Sequence, residues 1–424
     1  VKAERALRRI TPGLTVAMAV VLVGAGACSS SSGKQTSGSA KQTISITLQG
    51  LGAETTETEK QIKEFEAANP NITVNPVVLS PDANTLNQQL SQRFVAGDQP
   101  DVIISDVAFV AKYAQAGWLL PLDQFSPNTS DFFPAQVKTT QFNGHTYGMP
   151  WFSNAEGLYY RKDLVPTPPK SLAELVSDAK AAMSKDSTLK EGLAFEGDKY
   201  EGSITAFQAF EGTTGGTLDP ANINTPANQQ ALQAEQDTIY KDKIAPTAVT
   251  GWQEQQVENA WTSGQTVFAI NWPYMIADSA KVAALNGKVG FTTFPGQNGQ
   301  PGAASLGGDD LVISKDSKHQ AAAYKLIQFL DTPAQQIERA VATGDAPALT
   351  SAFNQDLFSK ASYFSELQPV FQHVVNRPVT GTYSAVSDAL QTMISTALSN
   401  QSSGAAAVSK AASAVKSAAS GSGS

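Results

Sequence analysis

Residues 42–49 (Gln-Thr-Ile-Ser-Ile-Thr-Leu-Gln) alternate between polar and apolar, the period-two pattern of a half-buried strand. Thr56 to Glu59 reads as a capping box, with Ile62 and Phe65 following at helical spacing, and the helix stops at Asn69-Pro70. Ile72, Val74 and Val77-Val78 make a second strand. A second helix over about 84–95 ends at Gly97, and the chain turns through Gln99-Pro100 into a short buried strand at 101–104. Strand, helix, strand, helix, strand predicts an α/β fold with a parallel sheet and right-handed crossovers.

Further capping boxes at Ser171–Glu174 and Ser317–Gln320 open later helices, the second with Leu326, Ile327 and Leu330 on one face. Gly- and Pro-rich breaks fall at 143–150 and 295–308. Residues 399–424 are Ala/Ser-rich with few large apolar side chains, which predicts a fraying helix and then a disordered tail.

The N-terminus breaks the pattern. Lys2, Arg5, Arg8 and Arg9 precede an apolar run of 14 residues, Leu14 to Ala27, too short for a membrane span of about 20 but suited to a secretory signal. Small residues lead into Cys28, and Ser29–Ala40 has the composition of a flexible tether. The arrangement resembles a bacterial lipobox, which implies a signal over 1–27 and lipidation of Cys28; the alternative is an ordinary cleaved signal.

Composition narrows the function classes. The chain has 424 residues, enough for two or three packed units. Its one cysteine excludes an internal disulfide, and three scattered histidines offer no usual zinc set. The net charge is −8, and without residues 1–27 it is −11, which argues against a nucleic-acid partner. No GxxxxGK[ST], HExxH or GxSxG motif occurs. Ser187 and Lys190 have the spacing of penicillin-recognising enzymes but lack the companion motifs, and His145, His319 and His373 have no catalytic partner nearby in sequence.

Four ordered segments carry a family resemblance. They are Phe65–Val74, Ala96–Val102, Ala116–Leu119 and Gly157–Leu164, and together they resemble extracellular solute-binding proteins of ABC importers (family 1). Lys199–Gly202, Phe268–Tyr274, and Asn376–Pro378 with Tyr383 are similar to the trehalose/maltose-binding branch. The resemblance implies a two-lobed periplasmic-binding-protein-like fold of type II, each lobe a mostly parallel sheet flanked by helices. One lobe would span 43–149 and 295–345, the other 150–294 and 346–398. Crossovers would fall near Gly148–Trp151, Phe294–Gly296 and Gly344–Pro347.

A disaccharide offers vicinal hydroxyls and apolar ring faces. Carboxylates and amides suit the first, aromatic rings the second. On the resemblance, Glu54 corresponds to a sugar-binding carboxylate, or else is an acid at a helix N-terminus. Asp106 ends a strand, where open α/β sheets place ligands, or caps the next helix. Asn154 stands where relatives often carry Asp. Trp272 and Tyr274 flank Pro273 as a stacking pair, and one of them could instead be core. Gly308 allows close backbone approach, and Asp309 stands where some relatives carry Trp. Arg377 resembles a late arginine that bonds ligand hydroxyls, or is a solvated surface arginine. Trp151, Phe152 and Trp252 are lesser candidates, equally suited to the core.

These residues describe a sugar-binding subunit, with Glu54, Asp106 and Gly308 from one lobe and Asn154, Trp272 and Tyr274 from the other. Such binding needs no cofactor and no covalent step. The partners implied are a sugar, ABC permease subunits with their ATPase, and the membrane through a lipid on Cys28, with the protein a monomer outside the cell membrane. Two alternatives stay open. One is a surface-anchored glycoside hydrolase using Asp106 with Glu201 or Asp309, the other a carbohydrate sensor or adhesin.

Overall fold

A computed structural model describes residues 40–50 and 52–421. The signal, the tether and Cys28 lie outside the described residues. In chain order the strands are β1 (Gln42–Gln49), β2 (Ile72–Leu79), β3 (Val102–Asp106), a short hairpin of β4 (Gln141–Phe142) and β5 (His145–Thr146), β6 (Gly148–Ala155), β7 (Gly157–Arg161), β8 (Glu191–Ala194), β9 (Thr266–Asn271), β10 (Val289–Thr292), β11 (Ala304–Ile313), β12 (Ala346–Pro347) and β13 (Val374–Val375).

The opening β1, β2 and β3 form as the pattern predicts, with β1 parallel to both of the others. Ile44, Ile46 and Leu48 point into the core, and Ser45 fixes the strand by giving its N–H and hydroxyl to Asp101. The helix between β1 and β2 starts earlier than expected, running Gly52–Ala68. Thr56 is therefore inside it, its hydroxyl bonded back to the Gly52 carbonyl, and the Thr56–Glu59 pattern is not a cap. The next helix, Ala83–Ala96, has Asp82 as its side-chain N-cap and left-handed Gly97 as its stop.

Two sheets result. The larger runs β12-β6-β11-β3-β1-β2, with β13 beside β11, and the smaller runs β10-β7-β9-β8. Both are mixed. β11 enters antiparallel to β3 and β6, and β7 is antiparallel to β9 and β10. The mostly parallel expectation fails because these pairings join segments far apart in sequence, which local periodicity does not encode.

The passages between the sheets decide what faces the cleft. The first lies at Glu156, since β6 belongs to the larger sheet through Ala155 and β7 opens the smaller one. The boundary expected at 149/150 is thus several residues early. A second passage joins β10 to β11. A third follows β13 and covers 376–382, before the helix Tyr383–Leu398, and not Gly344–Pro347, because β12 is hydrogen-bonded to β6.

One core wraps the larger sheet and continues into the second lobe through Tyr159, Trp261, Met275 and Phe291. Another, with Phe195, Phe207, Phe210 and Phe268, fills the rest of the second lobe. The Ala/Ser-rich end does hold the expected helix, but packed and longer than a fraying turn. It forms the helix Gly404–Ala419, capped by Ser403. Small side chains let it lie close on the helix Pro226–Tyr240: a Cβ on Gly404 would come within 2.3 Å of the Gln233 nitrogen. Val408 and Val415 are fully buried there.

Truncation after Ser403 exposes that face. Burial of two valines is worth roughly 3–6 kcal/mol at about 1.5–3 kcal/mol each, so thermal unfolding should show a clear fall in Tm. An unchanged Tm would contradict this packing.

Candidate functional site

A cavity of about 580 Å³ opens between elements of the two sheets. Seven of the ten candidate side chains or backbones line it: Glu54, Asp106, Trp272, Tyr274, Gly308, Asp309 and Arg377. Asn154, Trp151 and Phe152 do not. Trp252 also stays outside, packed against the two cores.

Strand ends and helix starts bring these groups together. Asp106 closes β3, and one carboxylate oxygen accepts the Ala108 N–H at 2.7 Å and an Arg377 N–H at 2.9 Å. A quarter of the Asp106 side chain remains exposed. Burial raises its pKa, opposed by Arg377. Glu54 lies in the first turn of its helix. Burial lifts its pKa well above the usual range, the negative charge of Asp345 adds to this, and Arg339 works against it.

For Arg377 the surface alternative fails, and its main partners are carboxylates. It is buried at 5% exposure, not solvated. It also donates to Glu201 at 2.7 Å, so it links the end of β3 to the start of the helix Glu201–Thr214. Tyr383 and Ser387 donate to the same glutamate. Desolvation alone would lower the Arg377 pKa, but the charges of Asp106, Tyr383 and Glu201 overcome it and keep the guanidinium charged.

Arg339 is a site residue that sequence reasoning missed. Its side chain donates to Thr58 at 3.1 Å, Asp345 at 3.0 Å and Glu54 at 3.4 Å. Its guanidinium carbon lies 4.0 Å from the Trp151 ring centre and 4.5 Å from that of Phe152. Those two aromatics support the cavity floor from below. Asn154, from β6 of the first lobe, donates to Asp345 at 3.1 Å and so steadies Arg339 indirectly. Arg339 is 285 residues from Glu54, and no local pattern announces the pairing.

Trp272 follows β9, and Tyr274 starts the helix Tyr274–Lys281 after Pro273, so the proline does mark a loop exit. The Trp272 carbonyl accepts the Tyr159 hydroxyl at 2.6 Å. Its ring lies against β11, where a Cβ on Gly307 would meet it at 2.5 Å. Gly308 has a φ of +99°, and a Cβ there would lie 2.3 Å from the Phe152 carbonyl oxygen. The two glycines therefore serve the approach of Trp272 and β6 as well as the cavity wall. Gln49, Tyr200, Glu201, Gln253 and Glu254 also line the space. The Gln253–Gln256 run after Trp252 was the sequence signal for this amide-rich wall.

The arrangement gathers aromatic rings, carboxylates and amides around one cavity, chemistry suited to holding a polyhydroxylated ligand without altering it. Asp106 and Glu201, the acid pair of the hydrolase alternative, share Arg377. Among the described residues, no group of three His, Cys, Asp or Glu is placed to hold a metal ion.

Fold and family resemblance to solved structures define a two-lobed binding protein with a cavity between the lobes. The chain belongs to the bacterial extracellular solute-binding protein family, whose profile matches residues 52–337. A probable ABC transporter-binding protein of Deinococcus radiodurans is 33% identical over 322 residues, 71% of this chain and 76% of that one. The maltodextrin-binding protein MdxE of Bacillus subtilis is 25% identical, over 80% of each chain. The solved structure of maltose-bound MalE3 from T. maritima superposes with a TM-score of 0.80 at 31% identity, covering 88% of this chain and 99% of that one. The family comprises binding proteins and not enzymes, which removes the hydrolase alternative.

Buried acids make a pH prediction. Glu156, at the first passage, has a pKa pushed up to about 8, chiefly by burial. Glu196, Glu235 and Glu211 are raised for the same reason. The folded protein thus holds protons that the unfolded chain releases above its ordinary carboxyl range. The stabilisation is whole below the unfolded pKa of about 4.5 and is lost as pH climbs through about 8. Tm should fall by several degrees between about pH 5 and pH 8.5, and less steeply in Glu156→Gln. A Tm that rises across this interval would contradict the burial of these groups as acids.

Proposed function

We propose that the protein is the substrate-binding subunit of an ABC importer and captures a sugar of about disaccharide size, a maltose- or trehalose-like glucoside, in the interlobe cavity. The observation that carries this reading is the cavity lining itself: Trp272 and Tyr274 together with Glu54, Asp106 and Gln49, around about 580 Å³. That volume lies within the roughly 300–1,000 Å³ of ordinary small-molecule sites. The maltose-bound relative at 31% identity and the maltodextrin-binding relative support a glucoside ligand.

A sugar touching both lobes at once would favour the closed arrangement, because only differential contact shifts such an equilibrium. The closed form would then be presented to permease subunits and their ATPase. On the lipobox resemblance, Cys28 carries the lipid that holds a monomeric protein at the outer leaflet, and the Ser/Gly-rich tether gives it reach.

A thermal-shift screen over mono-, di- and oligosaccharides tests the sugar class, since a ligand of the folded state raises Tm. For the sugar giving the largest shift, Trp272→Ala should weaken binding at least tenfold by calorimetry, about 1.4 kcal/mol, with the fold of the free protein intact by circular dichroism. Unaltered affinity would remove Trp272 from the site. No shift with any saccharide would overturn the sugar assignment.

A further inference from the structure

Asp309 is the carboxylate that the two arginines leave over. Among the described residues lining the cavity, seven are carboxylic acids and one, Arg377, is a cation. Arg377 is committed to Asp106 and Glu201, and Arg339 beneath the floor to Asp345 and Glu54. Asp309 joins neither set. It is 7% exposed, and among the described residues its side chain forms no hydrogen bond or salt bridge.

Its surroundings sharpen the deficit. Asp106 is its cross-strand partner in the β11–β3 register. Burial and the charge of Asp106 raise the Asp309 pKa well above the carboxylate range, with Arg339 opposing and Asp345 and Asp310 adding to the rise. The next residue behaves differently. β11 is irregular between Asp309 and Asp310, and Asp310 is satisfied internally by Thr139 at 2.8 Å and Gln136 at 3.3 Å. Asp309 instead borders both the main cavity and a recess of about 10 Å³ shared with Glu54, Trp151 and Arg339.

A carboxyl at a cavity wall with no protein partner is open to one supplied by a ligand. A sugar hydroxyl supplies a hydrogen-bond donor but does nothing to offset the burial and like charges that favour the protonated acid, whereas a nearby ammonium favours the ionised carboxylate. An ammonium supplies both donor and charge, in the stronger, charge-assisted form of the bond. Resting on the sugar-binding reading, we infer that Asp309 selects a saccharide carrying a basic nitrogen, an amino sugar or aminated glycoside, whose ammonium group lies against this carboxylate. Asp106 and Glu54 add attraction at longer range, while Trp272 and Tyr274 hold the apolar ring faces as they would in a neutral sugar.

Calorimetry on the full chain at about pH 6.5 tests this, using maltose and a series of its analogues with one hydroxyl replaced by an amine. At least one amino analogue should bind ten times or more tighter than maltose, and Asp309→Asn should cut that ratio below about threefold. Should the variant not fold, the wild type decides. Raising the pH from about 6 to about 10, through the titration of the ligand amine, should abolish the amino analogue's advantage over maltose. Maltose binding with no amino preference would overturn the inference and leave the sugar reading standing. A preference that survives Asp309→Asn, or that persists at high pH, would overturn the role of Asp309 and of the ammonium respectively. Absence of binding by maltose and by every amino analogue would remove both readings.

Discussion

The buried guanidinium of Arg377 ties the structure together. It spans from Asp106, at the end of a strand in one lobe, to Glu201, at the start of a helix in the other, with contacts of 2.9 and 2.7 Å. Taking these charges out of water is expensive, and the geometry must be good to repay it. Tyr383 and Ser387 complete the set by donating to Glu201. Such a network gives little net stability, but it dictates where each carboxylate points. One oxygen of Asp106 is held by Arg377 and the Ala108 N–H, and part of the side chain is left facing the ligand space.

Arg339 does the same work below the floor. Packed on Trp151 and Phe152, it holds Glu54 and Asp345 in place, and Asn154 holds Asp345 from the other side. The aromatic and amide candidates of the 151–154 segment thus belong to the network around this arginine and do not line the main cavity. The site has a rigid polar frame built from two buried cations, with the rings of Trp272 and Tyr274 in the same cavity lining. Glycine at 307 is part of that frame, because Trp272 occupies the space a side chain would need.

Local chemistry made much of this legible in the sequence. The alternation at 42–49, the stop at Gly97 and the Trp-Pro-Tyr exit at 272–274 each depend on near neighbours, and each predicts an element that forms. What stayed hidden is long-range. β11 runs antiparallel to β3 and β6, which places Asp309 opposite Asp106 across some 200 residues, and periodicity carries no such information. Arg339 pairs with Glu54, 285 residues away, as well as with nearby Asp345, and no local pattern marks it. The Ala/Ser-rich end misled for the opposite reason. Its small residues signal weak burial in isolation, yet they are what lets the helix Gly404–Ala419 pack closely on its neighbour.

A crystal structure of the protein grown with the saccharide that raises Tm most tests the central claim directly. The account predicts a sugar ring stacked on Trp272 or Tyr274, with ring substituents bonded to Asp106 and Glu54. A saccharide bound elsewhere, for example in the surface hollow between Asn87 and Gln391, with the interlobe cavity free of it, would contradict the account.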